Sequence, residues 1–222
     1  MSHLQAGDSK TVLCLVRHGE TAWNVDRRLQ GHLDVPLNDI GHGQARATAA
    51  HLARESARFA ACYASDLVRA RDTAAALQAG SGLAVHACRD LRERHYGCFQ
   101  GLTYDEAAIR FPEAYARFHR RDPAFVFPDG GESLIAFQAR VGAALGRIVR
   151  THPGQRVLIV THGGVLDMAY RIATGLALDA PRDFAIANAA LNWIAHDDGR
   201  WCVLAWGEQD HLATTRDELP NG

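Results

Sequence analysis

Apolar and polar positions fall in alternating blocks along the chain. Thr11 to Val16 is a short β-branched and apolar run that ends in Arg17 and His18 and is followed by Gly19. That is how a buried parallel strand hands residues to a loop. An Ala-rich helix is predicted from about Ile40 to Glu55, with Asn38 or Asp39 as its cap. Phe59 to Ala64 reads as a second strand, Leu67 to Ala79 as a helix stopped by Gly80 and Gly82, and Leu83 to Ala87 as a third strand. From Glu93 to Glu132 the alternation breaks into aromatics, paired arginines, Pro112, Pro123 and Pro128, ending at Gly130-Gly131. This stretch is expected to leave the sheet and cover one end of it. Ser133 then caps the clearest helix, whose apolar positions Leu134, Phe137, Val141, Leu145 and Ile148 step by three and four before Pro153-Gly154. Arg156 to Val160 is a second apolar run delivering Thr161 and His162, a helix follows from about Val165 to Ala173, and Asp197-Asp198-Gly199 signals a hairpin between Leu191 to Ala195 and Trp201 to Ala205. Alternating strands and helices predict a three-layer α/β/α fold around a mainly parallel sheet. One domain over residues 1–222 is expected, with 93–132 as its excursion and an irregular tail after Gly207.

Composition narrows the function classes. With 47% hydrophobic and 22% charged residues the chain is of the ordinary globular kind. A formal net charge of −1 gives no global field for nucleic acid or an anionic membrane, so any anion binding must be local. A single lysine, Lys10, stands beside 23 arginines, so only the placement of arginine carries information. Five cysteines without a C-x-x-C pair argue against a disulfide framework or structural zinc. No apolar run follows a basic start, and none approaches the roughly 18 residues of a membrane helix. A cytoplasmic protein with no metal and no cofactor is expected.

The candidate chemistry lies at the strand ends. His18-Gly19 and His162-Gly163 each follow a strand, and in a parallel sheet both ends open into one crevice, where ligands of such sheets bind. Either histidine alone is as well read as a polar residue closing its strand. With Arg17, Asn24 and the Ser65-Asp66-Leu67-Val68-Arg69 segment they supply two imidazoles and two guanidiniums, a set suited to a tetrahedral dianion. His32, His42, His51, His86 and His152 lack ligand spacing and are expected at the surface, and Trp23 is expected as a packing anchor.

The run Leu15-Val16-Arg17-His18-Gly19-Glu20-Thr21, with Trp23-Asn24 behind it, resembles the histidine phosphatase superfamily in its phosphoglycerate-mutase-like branch, and the likeness extends from about Val12 to Trp206. The resemblance implies that His18 is the phosphorylated nucleophile, that Arg17, Arg69 and His162 form the phosphate pocket with Asn24, and that Glu93 in Leu91-Arg92-Glu93-Arg94-His95-Tyr96-Gly97 is the proton donor. Gly19, Thr21, Gly163, Arg94, Tyr96, Arg120 and Arg121 are the further substrate-binding candidates, with Glu132 the next carboxylate in line. Glu93 to Gly97 and Arg120-Arg121 are similar to mutases that grip a substrate carboxylate. Tyr104 in place of a lysine, a glycine after His162 in place of asparagine, and Asp129-Gly130-Gly131-Glu132-Ser133 are similar to phosphatases. The expectation is a phosphatase acting on a small phosphomonoester. A bisphosphoglycerate-dependent mutase and a non-catalytic phospho-ligand binder are the alternatives, and a homo-oligomer remains open.

Overall fold

The computed structural model describes residues 10–55 and 58–214. The amino-terminal stretch and the last residues of the tail, read above as carrying no leader and as irregular, lie outside them. Among the described residues six strands form one sheet, in the order β3 (Val85–Ala87), β2 (Ala61–Ala64), β4 (Arg156–Thr161), β1 (Thr11–Arg17), β5 (Leu191–Asp197), β6 (Arg200–Glu208). Strands β1, β2, β3 and β4 run parallel, whereas β5 lies antiparallel to β1 and carries β6 at the edge. The sheet is therefore mainly parallel, as expected, with the signalled hairpin closing one side.

Successive residues of a strand face opposite sides, and both sides of this sheet are covered. Leu13, Leu15, Val157 and Ile159 pack with α6 (Leu134–Thr151) and α7 (Gly163–Thr174). Cys14, Val16, Leu158 and Val160 pack on the other side with α2 (Asp39–Arg54) and α3 (Val68–Ser81). This is the three-layer arrangement. The Asn38 side chain caps α2 and the Ser133 side chain caps α6 by accepting N–H groups three residues on. Helix α3 runs through Gly80 and stops at Gly82, whose φ of 69° is the left-handed cap glycine takes without strain. Gly80 was expected to end it and does not.

Between β3 and α6 the chain forms two short helices, α4 (Tyr104–Arg110) and α5 (Pro112–His119). Their aromatic cluster of Tyr96, Phe99, Tyr104, Phe125 and Phe127 includes Leu29 from the loop after α1 (Ala22–Val25). The excursion is thus packed on its own apolar centre, and main-chain bonds from Leu29 N to Leu102 O and from Gly101 N to Leu29 O, at 2.9 and 2.8 Å, stitch it to that loop.

Candidate active site

The register of β1 with β4 pairs Arg17 with Thr161, so the residues that follow, His18 and His162, leave neighbouring strand ends together. His18 N donates to Thr161 O at 2.9 Å, and the two imidazole rings lie 5.2 Å apart. Strand β2 stops one residue before Ser65, whose N–H donates to Val160 O, and α3 then brings in Arg69. All five residues expected to carry the chemistry are buried: Arg17, His18, Arg69, Glu93 and His162.

Their hydrogen bonds set protonation states. His18 Nδ1 lies 2.7 Å from Gly19 O, an acceptor, so Nδ1 carries the proton and Nε2 is left with its lone pair. Burial, and then Arg69 and Arg17, push the His18 pKa well below the ordinary imidazole value, which keeps the ring neutral. Burial, Arg69 and His18 lower His162 in the same way. Arg69 donates to Gly31 O and Leu33 O at 2.8 and 2.9 Å, and burial lowers it to about 10, still cationic at neutral pH. Arg17 donates to Ile186 O at 2.7 Å. Arg69 Nε and His162 Nδ1 are buried polar atoms with no hydrogen-bond partner among the described residues. Groups left so are ready donors for a bound anion.

Glu93 stands across from this set. Its Oε1 accepts from Arg94 N at 2.7 Å and its Oε2 from Gly164 N at 3.0 Å, in the first turn of α7. Burial raises its pKa; these two N–H donors, Arg69 and Arg17 oppose the rise without cancelling it. Glu132, in contrast, is doubly bonded to Arg140 at 2.8 and 2.7 Å and accepts His95 N at 2.9 Å. Although its burial works the other way, these bonds lower its pKa and hold it as a carboxylate. It is not poised to give up a proton.

Two cavities meet here. The first is lined by Arg17, His18, Asn24, Arg28, Gln30, Arg69 and Glu93, the second by Arg94, Phe118, Arg121, Phe137, Gly164, Asp167 and Arg182, and both share Tyr96 and Tyr104. Of the outer candidates, Asn24, Arg94, Tyr96 and Arg121 line these cavities. Arg120 is exposed and lines neither, because α5 ends there and turns it to solvent. Thr21 is occupied as the cap of α1, bonded to Asn24 and accepting Gln30 Nε2 at 2.9 Å. Gly19 sets the loop path, since a Cβ there would meet Gly41 O at 2.4 Å, and Gly163 opens α7. Trp23 packs beside Gly101. His42 and His86 are exposed as expected. His32, His51 and His152 are half-buried instead, His32 bonded to Glu93 O, His51 stacked on His211 and His152 bonded to Tyr63.

Several contributors escaped the sequence reading. Ser65 Oγ lies 2.7 Å from His162 Nε2. Gln30 and Arg28 line the inner cavity, and Arg182 the outer one. Asp167, on α7, binds Arg121 at 2.6 Å and Arg171 at 2.9 Å. The signal for Asp167 was present: an Asp and an Arg four apart sit among the apolar residues Val165, Leu166, Met168 and Ala169. Among the described residues no group of three or more His, Cys, Asp or Glu could hold a metal ion, and no helix is long and apolar enough to cross a membrane.

The family model described as histidine phosphatase superfamily (branch 1) matches residues 13–209. The chain is 43% identical over 205 residues to phosphoglycerate mutase-like protein 4 of Arabidopsis thaliana, covering 91% of this chain and 87% of that protein. It is 40% identical to the metal-independent phosphoserine phosphatase of the same plant, covering 92% and 84%. The solved structure of Bacillus stearothermophilus YhfR superposes with a TM-score of 0.83 at 35% identity, covering 91% of this chain and 99% of that one. On matches of this breadth, the chain belongs to the histidine phosphatase superfamily, branch 1, and its enzymatic class is phosphatase.

Proposed function

We propose that this chain hydrolyses a small phosphomonoester through a phosphohistidine on His18. The observation that carries the reading is the fixed tautomer of His18: Nδ1–H is spent on Gly19 O, so the bare Nε2 faces a pocket walled by buried guanidiniums. Phosphate oxygens would be held by Arg17, Arg69, Asn24 and His162. Nε2 attacks phosphorus, the P–O ester bond breaks, and Glu93 gives its proton to the departing alkoxide. Water then attacks the phosphohistidine, Glu93 takes a proton back, and inorganic phosphate leaves. Gly19 O supports the positive ring that forms on His18. Preorganised donors of this kind are worth about a hundred- to a thousandfold each in rate, and a placed acid roughly a hundred- to ten thousandfold. Because guanidiniums meet the phosphate charge, the mechanism calls for no metal ion.

The second cavity is the place for the alcohol part of the substrate. Arg94, Arg121 and Arg182 line it against one carboxylate, Asp167, which is already shared by Arg121 and Arg171. That excess of positive charge favours an alcohol bearing a second negative group. Tyr104, buried at the junction, places no cation where the two cavities meet, which supports hydrolysis over retention of a doubly phosphorylated intermediate. The same reading takes 1–222 as one domain with 93–132 covering the site, and a cytoplasmic location, which five unpaired cysteines suit. The test is a panel of phosphorylated metabolites, phosphoglycerates included, with and without added bisphosphoglycerate. Phosphate release independent of the bisphosphate supports the proposal. Isomerisation that requires it supports a mutase, and ligand binding without turnover in wild type supports the binder.

A further inference from the structure

We propose that His32 is a positioning residue that fixes Glu93 against the same loop whose carbonyls hold Arg69. The inference rests on the acid role proposed for Glu93. Three consecutive residues make the connection. Gly31 O and Leu33 O, on either side of His32, accept the two terminal nitrogens of Arg69 at 2.8 and 2.9 Å. Between them the His32 ring turns the other way, and its Nε2 lies 2.8 Å from Glu93 O. Since that oxygen only accepts, Nε2 is the protonated nitrogen. The loop is itself fixed by Gln100, whose Oε1 accepts His32 N at 2.7 Å; a Cβ on Gly31 would come within 2.2 Å of that Oε1, and the φ of 53° there suits glycine.

Glu93 O accepts a second bond, from Arg140 at 3.2 Å, but that bond has a different purpose. Arg140 also holds Asp90 O, Arg92 O and Glu132, and so ties the segment to α6. The His32 bond ties Glu93 to the phosphate side of the cleft. Phosphate grip and proton delivery are thus set on one short loop, and a misplacement of the acid by a fraction of an ångström is felt in rate. The ring is kept in its neutral form: burial lowers its pKa to about 4, against the pull of the Glu93 carbonyl, with His95 edge-on at 4.8 Å and Glu132 and Arg140 nearby.

The experiment measures single-turnover phosphorylation of the full chain by an alkyl phosphate and by p-nitrophenyl phosphate, together with inhibition by vanadate. His32→Ala is expected to slow the alkyl ester roughly five- to tenfold, the worth of one net hydrogen bond. The aryl ester, whose leaving group departs as the anion, should slow by less than about twofold, and vanadate inhibition should shift by no more than that. His32→Gln, whose amide nitrogen reaches the Nε2 position, should recover most of the loss. In a Glu93→Gln background the added effect of His32→Ala should fall below about twofold. Equal losses on both esters, no loss on either, or an undiminished effect beside Glu93→Gln would overturn the inference. If Glu93→Gln alone fails to discriminate between esters, the acid assignment falls and takes this inference with it. Should His32→Ala not fold, His32→Asn against His32→Gln decides, because the shorter amide cannot reach Glu93 O and equal rates for the two would refute the coupling.

Discussion

Gly164 N donates to Glu93 Oε2 at 3.0 Å, and a Cβ on Gly164 would come within 2.1 Å of Glu93 Oε1. The second residue of α7 is therefore held to glycine by the carboxyl group beside it. Gly164→Ala should push Glu93 aside and slow hydrolysis of alkyl phosphates about a hundredfold or more, the lower bound for losing a placed acid. Steady-state kcat on an alkyl ester checks this; wild-type kcat would show that the carboxyl position does not matter.

Ser65 holds the His162 ring in a related way. Its Oγ accepts Leu67 N at 3.3 Å and lies 2.7 Å from His162 Nε2. With the hydroxyl donating its hydrogen bond to Nε2, the ring proton sits on Nδ1, which on the proposed mechanism donates to phosphate. Ser65→Ala should cost roughly tenfold in kcat/KM, and Ser65→Thr should restore it. An alanine variant with unchanged kcat/KM contradicts the assignment.

The pH profile follows from two opposite shifts. On the proposed mechanism His18 attacks in its neutral form, and its lowered pKa keeps it so well below the usual imidazole value of about 6.5. As the proposed acid, Glu93 acts in its protonated form, and its raised pKa carries that form above the usual carboxyl range. The acid limb of kcat/KM should lie below about pH 6.5, and the alkaline limb should appear with an alkyl ester, vanish in Glu93→Gln and be absent with an aryl ester. Folding stability obeys the same sign. His18 and His162 bind protons less readily folded than unfolded, so their contribution is full above about pH 6.5 and is lost as pH falls toward their folded values. Thermal melts of wild type from pH 8 to pH 5, beside a His162→Gln variant with a flatter dependence, measure it.

Asp167 compensates two guanidiniums, with the Arg171 side chain wholly buried and that of Arg121 14% exposed. Asp167→Asn should destabilise the fold by about 3 kcal/mol, the usual scale for removing one partner of a buried pair. Urea unfolding with an unchanged slope tests the figure, and a loss below about 1 kcal/mol would mean that the carbonyls of Ala177 and Ala180 already satisfy Arg171.

Much of this was legible in the residues. The apolar runs ending in Arg17-His18 and Thr161-His162 are strands buried throughout but for Arg156, and parallel pairing of two such runs brings their ends together. The cap Ser133 and the steps of α6 read correctly because they are local, and of the two caps offered for α2 the structure takes Asn38. What stayed hidden depends on main-chain partners from distant segments. His32 lacks ligand spacing because its partner is a carbonyl 61 residues away. Arg120 and Arg121 look equivalent in sequence, yet α5 ends at His119 and a left-handed turn at Arg121 sends one to solvent and the other to Asp167. Helices α4 and α5 were obscured by Pro112, which begins a helix here at its first turn, where no N–H is needed.

The most direct test of the central claim is to capture the enzyme with its phosphoryl group. Wild type mixed with substrate, quenched within milliseconds in alkaline denaturant and digested, should yield a phosphorylated peptide containing His18, stable in base and lost in acid. His18→Ala should yield none and should not turn over any ester. A phosphoryl group on another residue, or steady turnover by His18→Ala at the wild-type rate, would contradict the account.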